Sequence, residues 1–341
     1  MSMHIGLIGG GNITETHARA ARAIPSLNIA AIYGMNAANI ERLACEYGGR
    51  AYQDFEAFLA HRPMDRVIIG SPSGLHAAEG IAAAERGLHV LTEKPIDITT
   101  ARADALIEAA KQSHVKLGVI FQDRVKPDIQ RLKRWIDQGV LGRLLFVDAR
   151  VKWYRSPEYY GNSKWRGTLE LDGGGALMNQ GVHTVDLLLW LLGDVTRVQA
   201  RTATLLHSIQ SEDTAMAILE FASGALGTLQ ATTAAYPGYP RRVEITGSQG
   251  TVILEHDRIV AADLRVRPAD FASDAPVDTN PSASSAAVTD VRGHQAILED
   301  FLRAIEFDGT PLCDGSQGRK SVALIEAIYR AARQPDGSAA P

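Results

Sequence analysis

The 341 residues are more than one hydrophobic core comfortably serves, and 45% hydrophobic with 22% charged residues is the composition of a packed globular chain, so two domains are expected and disorder is excluded. A formal net charge of −4 without a run of Lys and Arg offers no field that gathers phosphate backbones or anionic lipid, which excludes nucleic acid and membrane surfaces as partners. The densest apolar stretch, residues 187–192, is about a third of the ~20 residues a bilayer span requires, and the first residues show no signal pattern, so a cytoplasmic protein is expected.

In chain order, residues 4–8, 27–33, 66–70, 88–92 and 116–121 are β-branched runs predicted as strands. Residues 12–23, 36–47, 74–86 and 99–112 between them carry the Ala, Leu, Glu and Arg content of helices. That alternation is the βαβ rhythm of a parallel sheet covered on both faces, and it makes residues 1–122 a doubly wound α/β domain. After a helix at 126–138 the rhythm changes. Leu145, Val147, Ala149, Val151 and Trp153 lie on one side of a long strand, and more strands are predicted at 195–206, 214–221, 225–233, 241–247 and 251–255 with short turns between them. Residues 123–341 thus read as a second α/β domain around an antiparallel sheet, with an exposed loop over 268–289 and closing helices near 294–305 and 318–333. Cys45 and Cys313 stand in no CxxC or Cys/His spacing, so neither a disulfide nor structural zinc is expected and both are predicted as buried small apolar residues.

The first strand runs into Gly9-Gly10-Gly11-Asn12-Ile13-Thr14 and then a helix. Gly9 permits a tight turn, Gly11 lets the backbone approach a pyrophosphate, and the helix start beyond offers unpaired N–H groups and a positive dipole end. Thr14 replaces the third glycine of the dinucleotide fingerprint, so a larger residue must fit where helix meets strand. The strand–turn–helix setting makes this a dinucleotide site rather than an ordinary turn. An acidic residue about 20 positions on normally holds the ribose 2′-hydroxyl, yet no Asp or Glu occurs in residues 16–40, where the second strand ends in Tyr33-Gly34-Met35-Asn36. The missing charge favours NADP, with Asn36 offering a hydrogen bond to the 2′-phosphate. The other reading is an NAD site that uses backbone groups.

Open α/β sheets place ligands at strand ends, and there stand Ser71-Pro72-Ser73 with His76, then Glu93-Lys94-Pro95. With FQDR at 121–124, WRG at 165–167 and GGGALMNQGVHTVD at 173–186, in that order along nearly the whole chain, the sequence resembles the Gfo/Idh/MocA oxidoreductases, the family of glucose–fructose oxidoreductase and inositol dehydrogenase. The resemblance implies an N-terminal Rossmann domain for NAD or NADP, a second α/β domain with a large, mostly antiparallel sheet that carries the substrate, and a homodimer or homotetramer built through that sheet. It implies that Lys94 lies beside the nicotinamide and contacts the reacting hydroxyl, after a bend with a cis peptide before Pro95. The cofactor contacts expected are Gly9, Gly11, Asn12, Ile13, Gly34, Asn36, Ser71, Pro72, His76, Glu93, Lys94 and Gln122.

Asn179, His183 and Asp186 are spaced to share one face of a predicted helix whose other face is rich in Leu, so the polar stripe is expected toward solvent or a cleft, with Gly173–Gly175 letting a ligand near the backbone. His183 titrates near neutral pH and is the expected proton acceptor as hydride leaves a hydroxyl-bearing carbon. Inositol dehydrogenase-like members have an aspartate four residues before that histidine. An amide cannot accept a proton, so Asn179 is left a hydrogen-bonding role and the proton falls to His183 and Lys94. Aromatic planes suit sugar faces and Arg suits hydroxyls or a carboxylate, so Arg124, Tyr154, Tyr160, Trp165 and Arg166 join Lys94, Asn179 and His183 as candidate substrate contacts; ordinary packing accounts for the aromatics equally well. His61, His89 and His256 read as structural, and no metal is expected. The expected function is hydride transfer between NAD(P) and a sugar, sugar derivative or polyol. A dinucleotide-binding regulator without turnover is the alternative, against which the retention of both Lys94 and His183 argues.

Overall fold

The computed structural model describes residues 3–271 and 290–334 together with the backbone of Ser338–Ala339. The chain forms two compact units, Met1–Gln122 with Val288–Val322, and Asp123–Ala287 with Ala323–Pro341.

In the first unit β1 (Met3–Ile8), α1 (Asn12–Arg22), β2 (Leu27–Tyr33), α2 (Ala37–Tyr47), β3 (Arg50–Tyr52), α3 (Phe55–Leu59), β4 (Arg66–Ile69), α4 (His76–Glu85), β5 (His89–Glu93), α5 (Thr100–Gln112) and β6 (Leu117–Ile120) follow one another. The strands pair in parallel in the order β3-β2-β1-β4-β5-β6. Every residue of β4 and β6 is buried, Arg66 included through its ion pair with Asp65, so the apolar residues of these strands follow one another instead of alternating. The order reverses between β1 and β4, and open sheets bind ligands at such a switch point, outside the strand ends where Gly9 and Ser71 stand. The helix Arg292–Glu306 packs on α1 and against β5 and β6, and Cys313 accepts a backbone bond from Val119, so the late segment covers the β6 edge.

In the second unit come α6 (Pro127–Asp137), β7 (Leu144–Lys152), α7 (Pro157–Gly161), a π-helical turn at Ala176–Gly181, α8 (Val182–Leu192), β8 (Val195–Ala203), β9 (Thr214–Phe221), β10 (Leu226–Thr232), β11 (Arg242–Gly247), β12 (Gly250–Glu255) and β13 (Arg258–Leu264). The sheet order is β13-β12-β11-β7-β10-β9-β8, extended by Ser338–Ala339 beside β8, and only β7 with β10 is parallel. Alternation divides its faces: Val147, Ala149, Val151, Leu229, Ala231, Ala217 and Leu219 are buried, while their neighbours Phe146, Leu226, Ile218 and Met216 are exposed.

Apart from β13, which has no fully buried residue and gives no alternating signal, the longer elements fall where periodicity predicts them, and the other departures have local causes. The strand expected over 195–206 stops at Ala203 because the Asp213 carboxylate accepts the N–H groups of Leu205, Leu206 and His207 and pulls the chain into a loop. β3, α3 and α7 are three to five residues long, too short for a periodic signal. Cys313 is buried as expected, but Cys45 is exposed: it lies on α2, whose buried face is made by Ile40 and Leu43. Of the loop expected over 268–289, residues 272–289 lie outside the described residues.

Candidate active site

At the switch point Gly9 has φ 122°, a left-handed geometry, and a Cβ there would meet the Gly70 carbonyl and Thr14 Oγ1. Thr14, the residue that breaks the glycine fingerprint, is buried and fits because both Gly9 and Gly70 lack side chains. Gly11 is the N-cap of α1, makes no side-chain cap, and a Cβ on it would meet nothing within 4 Å. The first N–H groups of α1 are therefore left to a ligand or water, at the positive end of the helix. Gln122 Oε1 is buried without a hydrogen-bond partner. An open glycine cradle and an unsatisfied buried acceptor fit a dinucleotide. Gly11→Ser is expected to hold the thermal midpoint, because serine is a good N-cap, yet to weaken dinucleotide binding about tenfold or more by occupying the same N–H groups; melting curves and a nucleotide fluorescence titration check both halves.

Asn36 is exposed and its side chain caps α2 by accepting from Asn39 N at 3.1 Å, while Asn39 Nδ2 donates to Gly10 O, so the amide of Asn36 is half committed to the helix. Ser71 donates to Glu79 at 2.5 Å, and burial pushes the Glu79 carboxyl up to about 7 despite that bond. His76 joins the two strand-end loops, since Nδ1 lies 2.8 Å from Pro95 O and Nε2 3.0 Å from Ser71 O. Glu93 is likewise turned inward: Oε1 lies 3.0 Å from His17 Nε2 and 3.6 Å from His294 Nε2, and Oε2 accepts from Lys94 N at 3.1 Å. Burial alone raises its pKa, but the two imidazoles outweigh burial and hold it well below the ordinary carboxylate range. Lys94 is half-buried at the end of this anchored bend, and the Lys94–Pro95 bond is cis.

In the second unit the expected polar stripe does not survive as one face of one helix. Asn179 sits in the π-helical turn and His183 in the first turn of α8, and both are partly exposed. Asp186 is 1% exposed and locked to Arg124, whose Nε and Nη2 reach its two oxygens at 2.8 and 2.6 Å. The pair removes Arg124 from the substrate contacts and Asp186 from any cleft; it pins α8 to the turn before α6. Nor do the glycines all face a ligand. A Cβ at Gly174 would collide with the Tyr329 hydroxyl, and one at Gly175 with Glu212 O, so these two positions serve close packing. Glu212 fixes the turn by accepting from Gly175 N and Leu177 N.

Asn179 donates to Asp172 at 2.7 Å, and Asp172 also accepts from Gly167 N, so a buried carboxylate stands behind the amide that replaces one. Gln180 Nε2 reaches Asn179 Oδ1 and the Tyr159 hydroxyl, and its Oε1 accepts from Arg155 at 2.8 Å. The Arg166 guanidinium lies 4.1 Å over the Tyr159 ring and 5.5 Å from that of Trp165, and Arg155 is 5.6 Å from Tyr159 on the same network. Trp165, Arg166 and Tyr154 are partly exposed, whereas Tyr160 is buried and its hydroxyl bonds to Thr233, which makes it core. Asp172, Gln180, His17 and His294 were missed: the first two adjoin or lie within GGGALMNQGVHTVD, whereas His17 and His294 meet Glu93 from far along the chain. Among the described residues no group of His, Cys, Asp and Glu is placed to hold a metal ion, and no helix is long and apolar enough to cross a membrane.

Residues 3–121 match the oxidoreductase family with an NAD-binding Rossmann fold, and residues 129–253 match the GFO/IDH/MocA C-terminal domain. The oxidoreductase YrbE of Bacillus subtilis is 30% identical over 278 residues, 78% of this chain and 77% of that one. The inositol 2-dehydrogenase of Rhizobium meliloti is 26% identical, with 97% of each chain covered. Among solved structures, the WlbA dehydrogenase of Bordetella pertussis, in complex with NADH and UDP-GlcNAcA, superposes with a TM-score of 0.87 at 32% identity over 98% of this chain and 96% of that one.

Proposed function

Because the chain belongs to the Gfo/Idh/MocA oxidoreductase family, we propose that it transfers a hydride between NAD(P) and a hydroxyl-bearing carbon of a sugar derivative, with His183 and Lys94 handling the hydroxyl proton. It is an NAD-binding oxidoreductase of a family of sugar and polyol dehydrogenases. The bound dinucleotide supplies the hydride acceptor or donor; the first unit's residues bind it and orient Lys94. The observation that carries the reading is in the second unit: one hydrogen-bonded chain, Asn179 to Gln180 to Tyr159, leads from the turn before His183 to a shelf of two guanidinium groups and the Trp165 ring. Aromatic faces and guanidinium forks bind sugar rings, hydroxyls and carboxylates, so Tyr154, Trp165, Arg166 and Asn179 are the proposed substrate contacts, and a sugar derivative with an acidic group fits them best.

For the cofactor, no carboxylate follows β2 and Asn36 spends its oxygen on a helix cap, which supports tolerance of the NADP phosphate. Residues 1–122, which 288–322 rejoin rather than belonging to the second domain as expected, are proposed as the cofactor domain, and 123–287 with 323–341 as the substrate and assembly domain. Phe146, Met216, Ile218 and Leu226 on one open sheet face support a homodimer or homotetramer, and the cytoplasm is the proposed setting. The test is a panel of polyols, neutral sugars, sugar acids and nucleotide sugars followed at the nicotinamide absorbance with each cofactor. Sugar acids are expected to show at least about tenfold higher kcat/KM than their neutral counterparts, a preference erased in Arg166→Gln. Tight dinucleotide binding with no turnover on the whole panel overturns the enzymatic reading in favour of a sensor.

A further inference from the structure

Behind His183 lies a buried set of charges that hydride transfer alone does not call for. Asp123, in the turn Gln122–Val125, places Oδ2 3.8 Å from His183 Nδ1 and 2.8 Å from Arg241 Nη2, and Oδ1 2.6 Å from Lys126 Nζ. Arg241 and Lys126 also both pair with Asp257. Asp123, Asp257 and Arg241 are each less than 9% exposed. Two carboxylates and two cations balance within this set, and Asp123 is the carboxylate in it that faces His183. The neighbouring charged pair, Asp186 with Arg124, is joined by two hydrogen bonds of its own.

Buried ion clusters are a poor route to stability, since well-packed apolar side chains of the same volume often do as well. A carboxylate facing one ring nitrogen of a histidine has a distinct use: it fixes which nitrogen carries the proton and which is left as acceptor. Burial alone raises the pKa of Asp123, but Arg241, Lys126 and His183 outweigh it and keep the group charged. We propose that Asp123 is the positioning residue of His183, holding its proton on Nδ1 and leaving Nε2 to accept the substrate's hydroxyl proton, with Arg241 and Lys126 fixing the carboxylate in turn. The step balances: the hydroxyl O–H proton moves to Nε2 as the carbon loses hydride to the dinucleotide, and the resulting imidazolium, faced by Asp123, returns its proton to water. This rests on the role given to His183 above.

The test is a ¹⁵N NMR titration of the full chain labelled at histidine, without cofactor, with the His183 signals assigned by their loss in His183→Gln. In the wild type, neutral His183 is expected as the Nδ1–H tautomer, and the Nε2–H tautomer overturns the proposal. Asp123→Asn is expected to lower the His183 pKa by about one unit or more, move the acid limb of kcat to lower pH and reduce plateau kcat about tenfold with dinucleotide affinity unchanged, and Asp123→Glu to restore part of the shift. An unchanged His183 pKa in folded Asp123→Asn also overturns it. The tautomer needs no variant, so a misfolded Asp123→Asn leaves a deciding measurement. If the tautomer and pKa respond to Asp123 but no substrate turns over, the positioning stands and the proposed function fails.

Discussion

His183→Ala and Lys94→Ala are each expected to lower kcat by about 10² to 10⁴, the range that a positioned proton-transfer group contributes, while the dinucleotide dissociation constant moves less than about threefold. The separation of the two readouts follows from where the residues sit. His183 opens α8 in the second unit, and the glycine cradle of the first unit owes nothing to it. Lys94 is carried on a bend whose backbone is held independently of its ammonium: Glu93 accepts the Lys94 N–H, and His76 binds Pro95 O. Truncating the side chain therefore leaves the bend in place. Steady-state kinetics on the best substrate of the panel, with nucleotide affinity from fluorescence, decide the matter. Turnover unchanged in both variants removes the assignment of the proton chemistry, and a loss of nucleotide binding in parallel with kcat shows that the bend, not the proton, was damaged.

The glycine turn after β1 was legible in the sequence because everything that makes it is local. A buried strand, three successive glycines and an amphipathic helix are contiguous, and each glycine's job follows from its place in the turn. The same locality made the parallel sheet of the first unit readable from alternating strand and helix signals. What stayed hidden depends on partners distant in sequence. Arg124 in FQDR looks like a residue reaching for substrate, because nothing near it reveals that Asp186, 62 positions later, takes both of its forks. Helical spacing of Asn179, His183 and Asp186 assumes 3.6 residues per turn throughout, but the first of the three lies in a π-helical turn held by Glu212 from another part of the chain. Glu93 reads as part of a cofactor motif until His17 and His294, from opposite ends of the chain, are seen to enclose it. For Arg124 and Glu93 a charged side chain was given to a ligand that the fold had already given to another residue.

The Arg124–Asp186 pair yields the largest stability effect. Both side chains are nearly excluded from water, at 2% and 1% exposure, and Arg124 also lies 5.5 Å from the Trp190 ring. Arg124→Met removes the cation and strands a buried carboxylate on α8, a change that costs about 3–5 kcal/mol in comparable buried pairs. For a unit of this size each kcal/mol moves the thermal midpoint by about 2–4 °C, so a fall on the order of 10 °C is expected. Arg124→Met with Asp186→Leu removes both charges and replaces them with apolar groups of similar reach; it is expected to recover most of the loss, because the desolvation penalty disappears with the charge. Differential scanning calorimetry of the two single variants and the double variant closes the cycle. A single substitution that costs less than about 1 kcal/mol shows a pair that is screened by solvent rather than buried. The double variant has a second use, since it keeps His183 and Asp123 while changing what anchors α8. If it regains stability but not turnover, the pair's purpose is to hold the angle at which α8 presents His183, and the ion pair is retained for geometry rather than for the free energy of folding.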